Sequence, residues 1–125
     1  MIRTVLLVGA GSCLGGIARL LIARLMAGLT PNTWPWGTLV ANVTGCLVIG
    51  LVCGMSLRHQ GMSPQLKTFL TVGFCGGFTT FSSFMNENLS LLHGEHPWQA
   101  LTYTASSLVL GLIAVWCGYL LTRQY

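Results

Sequence analysis

The sequence predicts an all-α integral membrane protein, and three observations carry that reading. Only 6% of the 125 residues are charged while 53% are hydrophobic, against about 25% charged in soluble domains, so the chain cannot cover a water-facing surface. The mean hydropathy is +0.71. Four apolar windows follow one another, at about 4–25, 36–57, 68–92 and 98–121, each near the roughly 20 residues a hydrocarbon core requires of a helix. These windows are continuous rather than alternating, which favours helices over the strands of a membrane barrel. The expected architecture is one four-helix transmembrane domain over residues 1–125.

The elements follow in order. Met1-Ile2-Arg3 and the apolar run behind it resemble the start of a signal peptide. The run outlasts a normal h-region and no clean cleavage site follows, so it reads as the first span. Loops at 27–35, 58–67 and 93–97 hold turn formers and helix breakers (Pro31, Asn32, Pro35, Gly61, Pro64 and Pro97). Trp34, Trp36, Trp98 and Tyr125 fall where amphipathic rings anchor at membrane interfaces. Many of the sixteen glycines sit four apart. Gly11/Gly15, Gly50/Gly54 and Gly73/Gly77 are small-xxx-small pairs, and Ser107/Gly111 and Ala114/Gly118 extend the pattern into the last span. Such pairs let helix backbones approach closely in lipid.

Net charge is +4, but the basic residues form no run or face, so nucleic acid is not an expected partner. Arg3, Arg58, Lys67 and Arg123 share one side of a four-span protein, and Arg19 and Arg24 the other. That bias is weak for a positive-inside signal, and it leaves insertion both ways round, and an antiparallel dimer, open. The five cysteines lie in apolar stretches without metal-ligand spacing and read as small hydrophobes. His59, His93 and His96 fall in loops. No nucleophile–base pair, metal-ligand spacing or phosphate loop is present, so no enzyme is expected.

Polar groups within spans mark function by default, and the third span holds the densest set, Gly73-Phe74-Cys75-Gly76-Gly77-Phe78-Thr79-Thr80-Phe81-Ser82-Ser83-Phe84. Paired glycines before paired threonines weaken a helix, and a break is expected over Gly76–Thr80. A kinked packing helix with back-bonded hydroxyls is the alternative. Phe81 and Phe84, three apart, share a helical face, and their ring edges carry the positive end of the aromatic quadrupole, which suits an anion. Ser82 and Ser83 add hydroxyl donors beside them. Thr38 and Asn42, four apart in the second span, supply neutral donors or interhelical glue. Tyr103, Ser107 and Gly111 in the fourth span form either a donor track or a packing stripe. Arg24 reads as snorkelling to an interface. Arg19, deeper, is placed to draw anions towards a vestibule. Glu87 pairs with an arginine or sits at a mouth.

The third-span run resembles the GFCGGxTTFSxF signature of the Fluc fluoride channels, also called CrcB. Gly37-Thr38-Leu39-Val40-Ala41-Asn42-Val43-Thr44-Gly45 is similar to that family's GTLxxNxxG motif, and Gly15-Gly16-Ile17-Ala18-Arg19 to its GGxxR motif. Phe78 and Ser83 depart from the commoner Leu and Thr, and the fourth span carries no comparably sharp motif. The resemblance implies passive fluoride export through an antiparallel, dual-topology homodimer with two pathways, as a multi-pass protein of the cell inner membrane with no soluble partner. It implies Phe81, Phe84 and Asn42 lining each pathway, and Thr38, Thr80, Ser82, Ser83, Tyr103 and Ser107 as further pore groups. It also implies a structural Na⁺ on the dimer axis, held by the carbonyls of Gly76 and Thr79.

The physics agrees with that resemblance. A selective pore must replace the tight water shell of fluoride with dense neutral donors, because a fixed charge in a narrow pore would hinder release. Two rivals stand beside it. A small multidrug-type exporter needs a carboxylate embedded in the first span, which has none. A non-transporting assembly subunit explains the glycines but not a polar third span.

Overall fold

The computed structural model describes residues 1–30, 34–58 and 61–123. The turn at Pro31 and Asn32, the loop histidine His59 and the interfacial Tyr125 lie outside the described residues. All regular elements described are helical: α1 (Ile2–Leu29), α2 (Trp36–Ser56), α3 (Pro64–Thr68), a π-helical stretch (Phe69–Cys75), α4 (Gly76–Phe78), α5 (Ser82–His93) and α6 (Pro97–Arg123). Three of them, α1, α2 and α6, are long and apolar enough to cross a membrane. The remaining segment has two consecutive halves. One starts at Ser63, whose hydroxyl accepts from the Leu66 amide at 3.2 Å, with Pro64 at the first helical position, where its missing N–H costs nothing. It ends at Thr79, whose backbone is extended (φ −87°, ψ 157°). The other half is α5, 12 residues long; at about 1.5 Å per residue it is too short to cross alone.

The third span is therefore broken, but at 79–81 rather than over Gly76–Thr80. Gly76 and Gly77 are helical. At Gly77 the reason is close approach: a Cβ there would lie 2.8 Å from Ser12 Cα. Glycine is needed at this position for contact with α1, and the chain leaves the helix only after that contact is complete.

Small residues set the rest of the packing. A Cβ on Gly11 would fall 2.8 Å from Gly73 Cα, and one on Gly15 would fall 2.8 Å from the Phe78 amide nitrogen. So α1 lies backbone to backbone on the first half of the third span. On the other side of the bundle α2 and α6 meet in the same way, with Gly118 against Leu47 and Leu51, and Gly50 against Tyr119. The glycine pairs Gly11/Gly15, Gly50/Gly54 and Gly73/Gly77 read from the sequence are these contacts, with Gly118 from the last span; Gly111 meets only the Cys46 sulfur. Outward faces of α1 and α6 remain apolar and exposed, including Leu21, Leu25, Leu108 and Leu112, as expected where lipid is the solvent.

The glycine contacts differ in a testable way. Gly15→Ala is expected to destabilise the protein by about 1–3 kcal/mol through overpacking, whereas Gly28→Ala, with nothing within 4 Å of its would-be Cβ, should be neutral or slightly stabilising. Thermal unfolding in detergent separates the two.

Candidate functional site

Interrupting a helix inside a membrane uncovers backbone groups that lipid cannot satisfy. Here Asn42, on α2, answers both groups of one residue. Its Oδ1 accepts from the Thr80 amide at 2.8 Å, and its Nδ2 donates to the Thr80 carbonyl at 3.0 Å. Thr80 in turn caps the second half of the span, its Oγ1 accepting from the Ser83 amide at 3.2 Å, the geometry of a hydroxyl N-cap. Because the Thr80 and Ser83 amides are turned to these partners, the carbonyls of Gly76 and Thr79 lose the amides four residues on that a continuous helix would give them. Gly45 makes the approach possible, since a side chain there would collide with the Thr79 methyl group.

Beyond the break the two rings diverge in exposure. Phe84 is buried, with 7% of its surface accessible, and Phe81 is 74% exposed, although their centroids are 6.2 Å apart. Phe84 meets Tyr103 edge-on at 4.9 Å. The Tyr103 hydroxyl donates to Glu87 Oε2 at 2.6 Å, and Thr38 Oγ1 donates to Glu87 Oε1 at 2.5 Å. One carboxylate thus ties α2, α5 and α6 together. Trp34 packs against Tyr103 with centroids 5.7 Å apart, and its buried indole N–H has no partner among the described residues.

Cavities connect these groups. One of about 250 Å³ is lined by Gly16, Arg19, Leu20, Ala23, Thr38, Thr80, Ser83 and Glu87. A second, of about 300 Å³, shares Ala23, Thr38 and Glu87 with it and reaches Thr30, Trp34 and Trp36 at the loop end of α1. Together they form a path from the α1–α2 end of the bundle to the break, its walls partly apolar and partly formed by Arg19, Thr38, Thr80, Ser83 and Glu87.

The sequence pattern of the CrcB-like protein, Camphor Resistance (CrcB) family matches residues 6–119. The chain belongs to the CrcB family. Curated relatives cover nearly its whole length. A "Fluoride-specific ion channel FluC" of Flavobacterium psychrophilum is 38% identical over 122 residues, 98% of each chain. One of Chlorobium chlorochromatii is 45% identical over 95% of this chain and 92% of its own. A third, from Geobacter sulfurreducens, is 39% identical over 97% and 98% respectively. With its long apolar helices, this CrcB-family chain is a multi-pass membrane protein.

Within this CrcB fold the residues singled out from the sequence fall into three groups. Thr38, Asn42, Thr80, Ser83 and Glu87 come together around the break and its cavity, with Arg19 on the cavity wall. Tyr103 and Phe84 stand behind Glu87. Ser82 is exposed, with its hydroxyl 3.5 Å from that of Thr80. Ser107 does not join the cluster by any hydrogen bond, and its buried hydroxyl has no partner among the described residues. Of the two roles open for Asn42, the structure realises a cross-helix tie, made to backbone rather than to a side chain. Glu87 lines the path and forms no ion pair among the described residues; its partners are hydroxyls. No cluster of His, Cys, Asp and Glu side chains able to hold a metal occurs among the described residues.

Two contacts were not foreseen from sequence. Asn88 Nδ2 donates to the Phe84 carbonyl at 3.0 Å, and its Oδ1 accepts from Thr104 at 3.0 Å, locking α5 to α6. Trp34, read as an interfacial ring, packs inward on Tyr103. The amide spacing of Phe84 and Asn88, four apart, is the only local signal for the first; nothing local marks the second.

The Asn42 clasp yields a prediction. Asn42→Ala leaves a part-buried amide and carbonyl without partners and should cost about 1–3 kcal/mol, read as a lower thermal midpoint. Asn42→Asp, which keeps the acceptor for the Thr80 amide, should lose less than the alanine variant.

Proposed function

We propose that this protein is a fluoride-selective channel, exporting F⁻ passively through an antiparallel, dual-topology homodimer in the inner membrane. The observation that carries the reading is the broken third span, where neutral donors and two phenyl rings gather beside a partly polar path. The relatives named above as fluoride-specific channels support the choice of ion. Fluoride must exchange its water shell for protein donors and then leave. Hydroxyls of Thr80, Ser82 and Ser83, one amide N–H of Asn42 beyond that given to Thr80, and the edges of Phe81 and Phe84 offer that exchange with neutral groups, and the Thr38 hydroxyl, which donates to Glu87, would join them on releasing that carboxylate. Ser107 adds a hydroxyl along α6, where the Tyr103 hydroxyl would join it on releasing Glu87. Arg19, on the wall of the wider cavity, draws the anion inward by Coulomb attraction.

The homodimer reading rests on the single chain being incomplete. Phe81 lies outside the protomer's core, so a second copy would be needed to enclose its ring edge. Two such rings, one per copy, give two pathways. The carbonyls of Gly76 and Thr79, freed of their helical amides, are hard neutral oxygens that fit a Na⁺ ion. A bound Na⁺ would supply positive potential that offsets those dipoles. A multidrug-type exporter is disfavoured because α1 has no carboxylate, and the one acidic side chain beside the break already accepts two hydroxyl bonds.

Purified protein in liposomes is expected to release fluoride while essentially retaining chloride; equal fluxes of the two would contradict the proposal. Phe81→Ile should slow fluoride efflux about tenfold or more, equivalent to about 1.4 kcal/mol in the barrier, with the dimer still intact on size exclusion. Unchanged efflux would remove that ring from the pathway.

A further inference from the structure

The end of the bundle remote from Trp34 carries a second polar feature that ion conduction does not use. Helices α1 and α2 run antiparallel, with Gly37 against Ala23, whereas α2 and α6 run parallel, with Gly50 against Val115 and Gly54 against Tyr119 and Arg123. The start of α1, the end of α2, the start of α3 and the end of α6 therefore share one end. Arg3, Arg58, Lys67 and Arg123 are all exposed there. No Asp or Glu side chain balances them. Of the two acidic residues in the chain, Glu87 sits beside Thr38 and Tyr103, and Glu95 lies in the turn between α5 and α6.

Between α1 and α3 at this end lies a cavity of about 160 Å³, lined by Arg3, Thr4, Leu7, Pro64, Gln65 and Thr68. At roughly 30 Å³ of liquid per water it has room for about five. Arg3, Thr4, Gln65 and Thr68 supply a guanidinium, two hydroxyls and an amide. None of these side chains makes a hydrogen bond or ion pair among the described residues. Arg58 differs: its Nε donates to the Thr122 carbonyl at 2.7 Å. Arg123 also differs, lying over the Tyr119 ring. Arg3 is thus a cation without a partner among the described residues, at the start of the first apolar helix, where a span would meet the headgroups, beside donors suited to phosphate oxygens. Basic pockets between membrane helices take anionic headgroups on these grounds.

We propose that this cavity binds the phosphodiester headgroup of an anionic phospholipid, with Arg3 as its charged contact and Thr4, Gln65 and Thr68 as neutral donors. Leu7 and Pro64 give the glycerol and first acyl carbons an apolar wall. Headgroup binding at this end is independent of the transported ion and can be measured without transport.

Native mass spectrometry of the detergent-solubilised protein with phosphatidylglycerol or phosphatidylcholine of matched acyl chains provides the test. The wild-type protein should retain phosphatidylglycerol and not phosphatidylcholine. Arg3→Gln should weaken that retention about fivefold. Lys67→Gln, which removes an equal charge next to the cavity but outside its lining, should change it less than twofold. Equal weakening by both variants would mean a diffuse basic surface and overturn the site. Equal retention of the two lipids by the wild type would overturn it without recourse to any variant. Displacement of the lipid by millimolar inorganic phosphate would make the cavity a free-phosphate site and overturn the lipid assignment.

Discussion

A membrane helix can come apart only if something else in the protein takes up the backbone groups it releases. That constraint organises the structure. The Asn42 amide supplies an acceptor and a donor to the two backbone groups of Thr80, and Thr80 then caps the half-helix that follows. In hydrocarbon each unsatisfied group would cost several kcal/mol; here, where the Thr80 groups are part-buried, losing the clasp costs about 1–3 kcal/mol. The clasp is what makes an interruption at this depth affordable, and the freed carbonyls of Gly76 and Thr79 are its direct by-product.

Close packing serves the same end. Gly45 admits the threonine side of the break, and Gly11, Gly15, Gly73 and Gly77 let α1 lie against the first half of the span. Without a hydrophobic effect between helices in lipid, this van der Waals contact is what fixes the half-helix in place. The second half is held differently, by polar ties from Glu87 to Thr38 and Tyr103 and from Asn88 to Thr104. One half is set by small residues and the other by hydrogen bonds. The hinge between them carries the donors and rings.

Much of this was legible in the sequence because it depends on composition and short spacing. The second window, 36–57, and the fourth, 98–121, nearly coincide with α2 and α6, since proline and turn residues bound them. The first helix runs on to Leu29 because no breaker follows Arg24, where the apolar window weakens. That the third span breaks was readable; where it breaks was not. Paired glycines signal both weak helix and close approach, and only the position of Ser12 on a distant helix decides between them. The partner of Asn42 is 38 residues away, a separation at which no local pattern operates. The same holds for the inward turn of Trp34 and for the hydroxyl partners of Glu87. Side-chain identity foretold which groups would matter, while tertiary contact determined what each one holds.

Amide hydrogen exchange at Thr80, resolved by NMR in lipid nanodiscs, bears most directly on the clasp. If Asn42 holds this amide, replacing it with alanine should speed Thr80 exchange about tenfold, equivalent to about 1.4 kcal/mol locally. The Met85 amide, bonded to the Phe81 carbonyl at 2.9 Å, should change far less. Identical Thr80 exchange in the two proteins would mean that the break is supported by something other than Asn42.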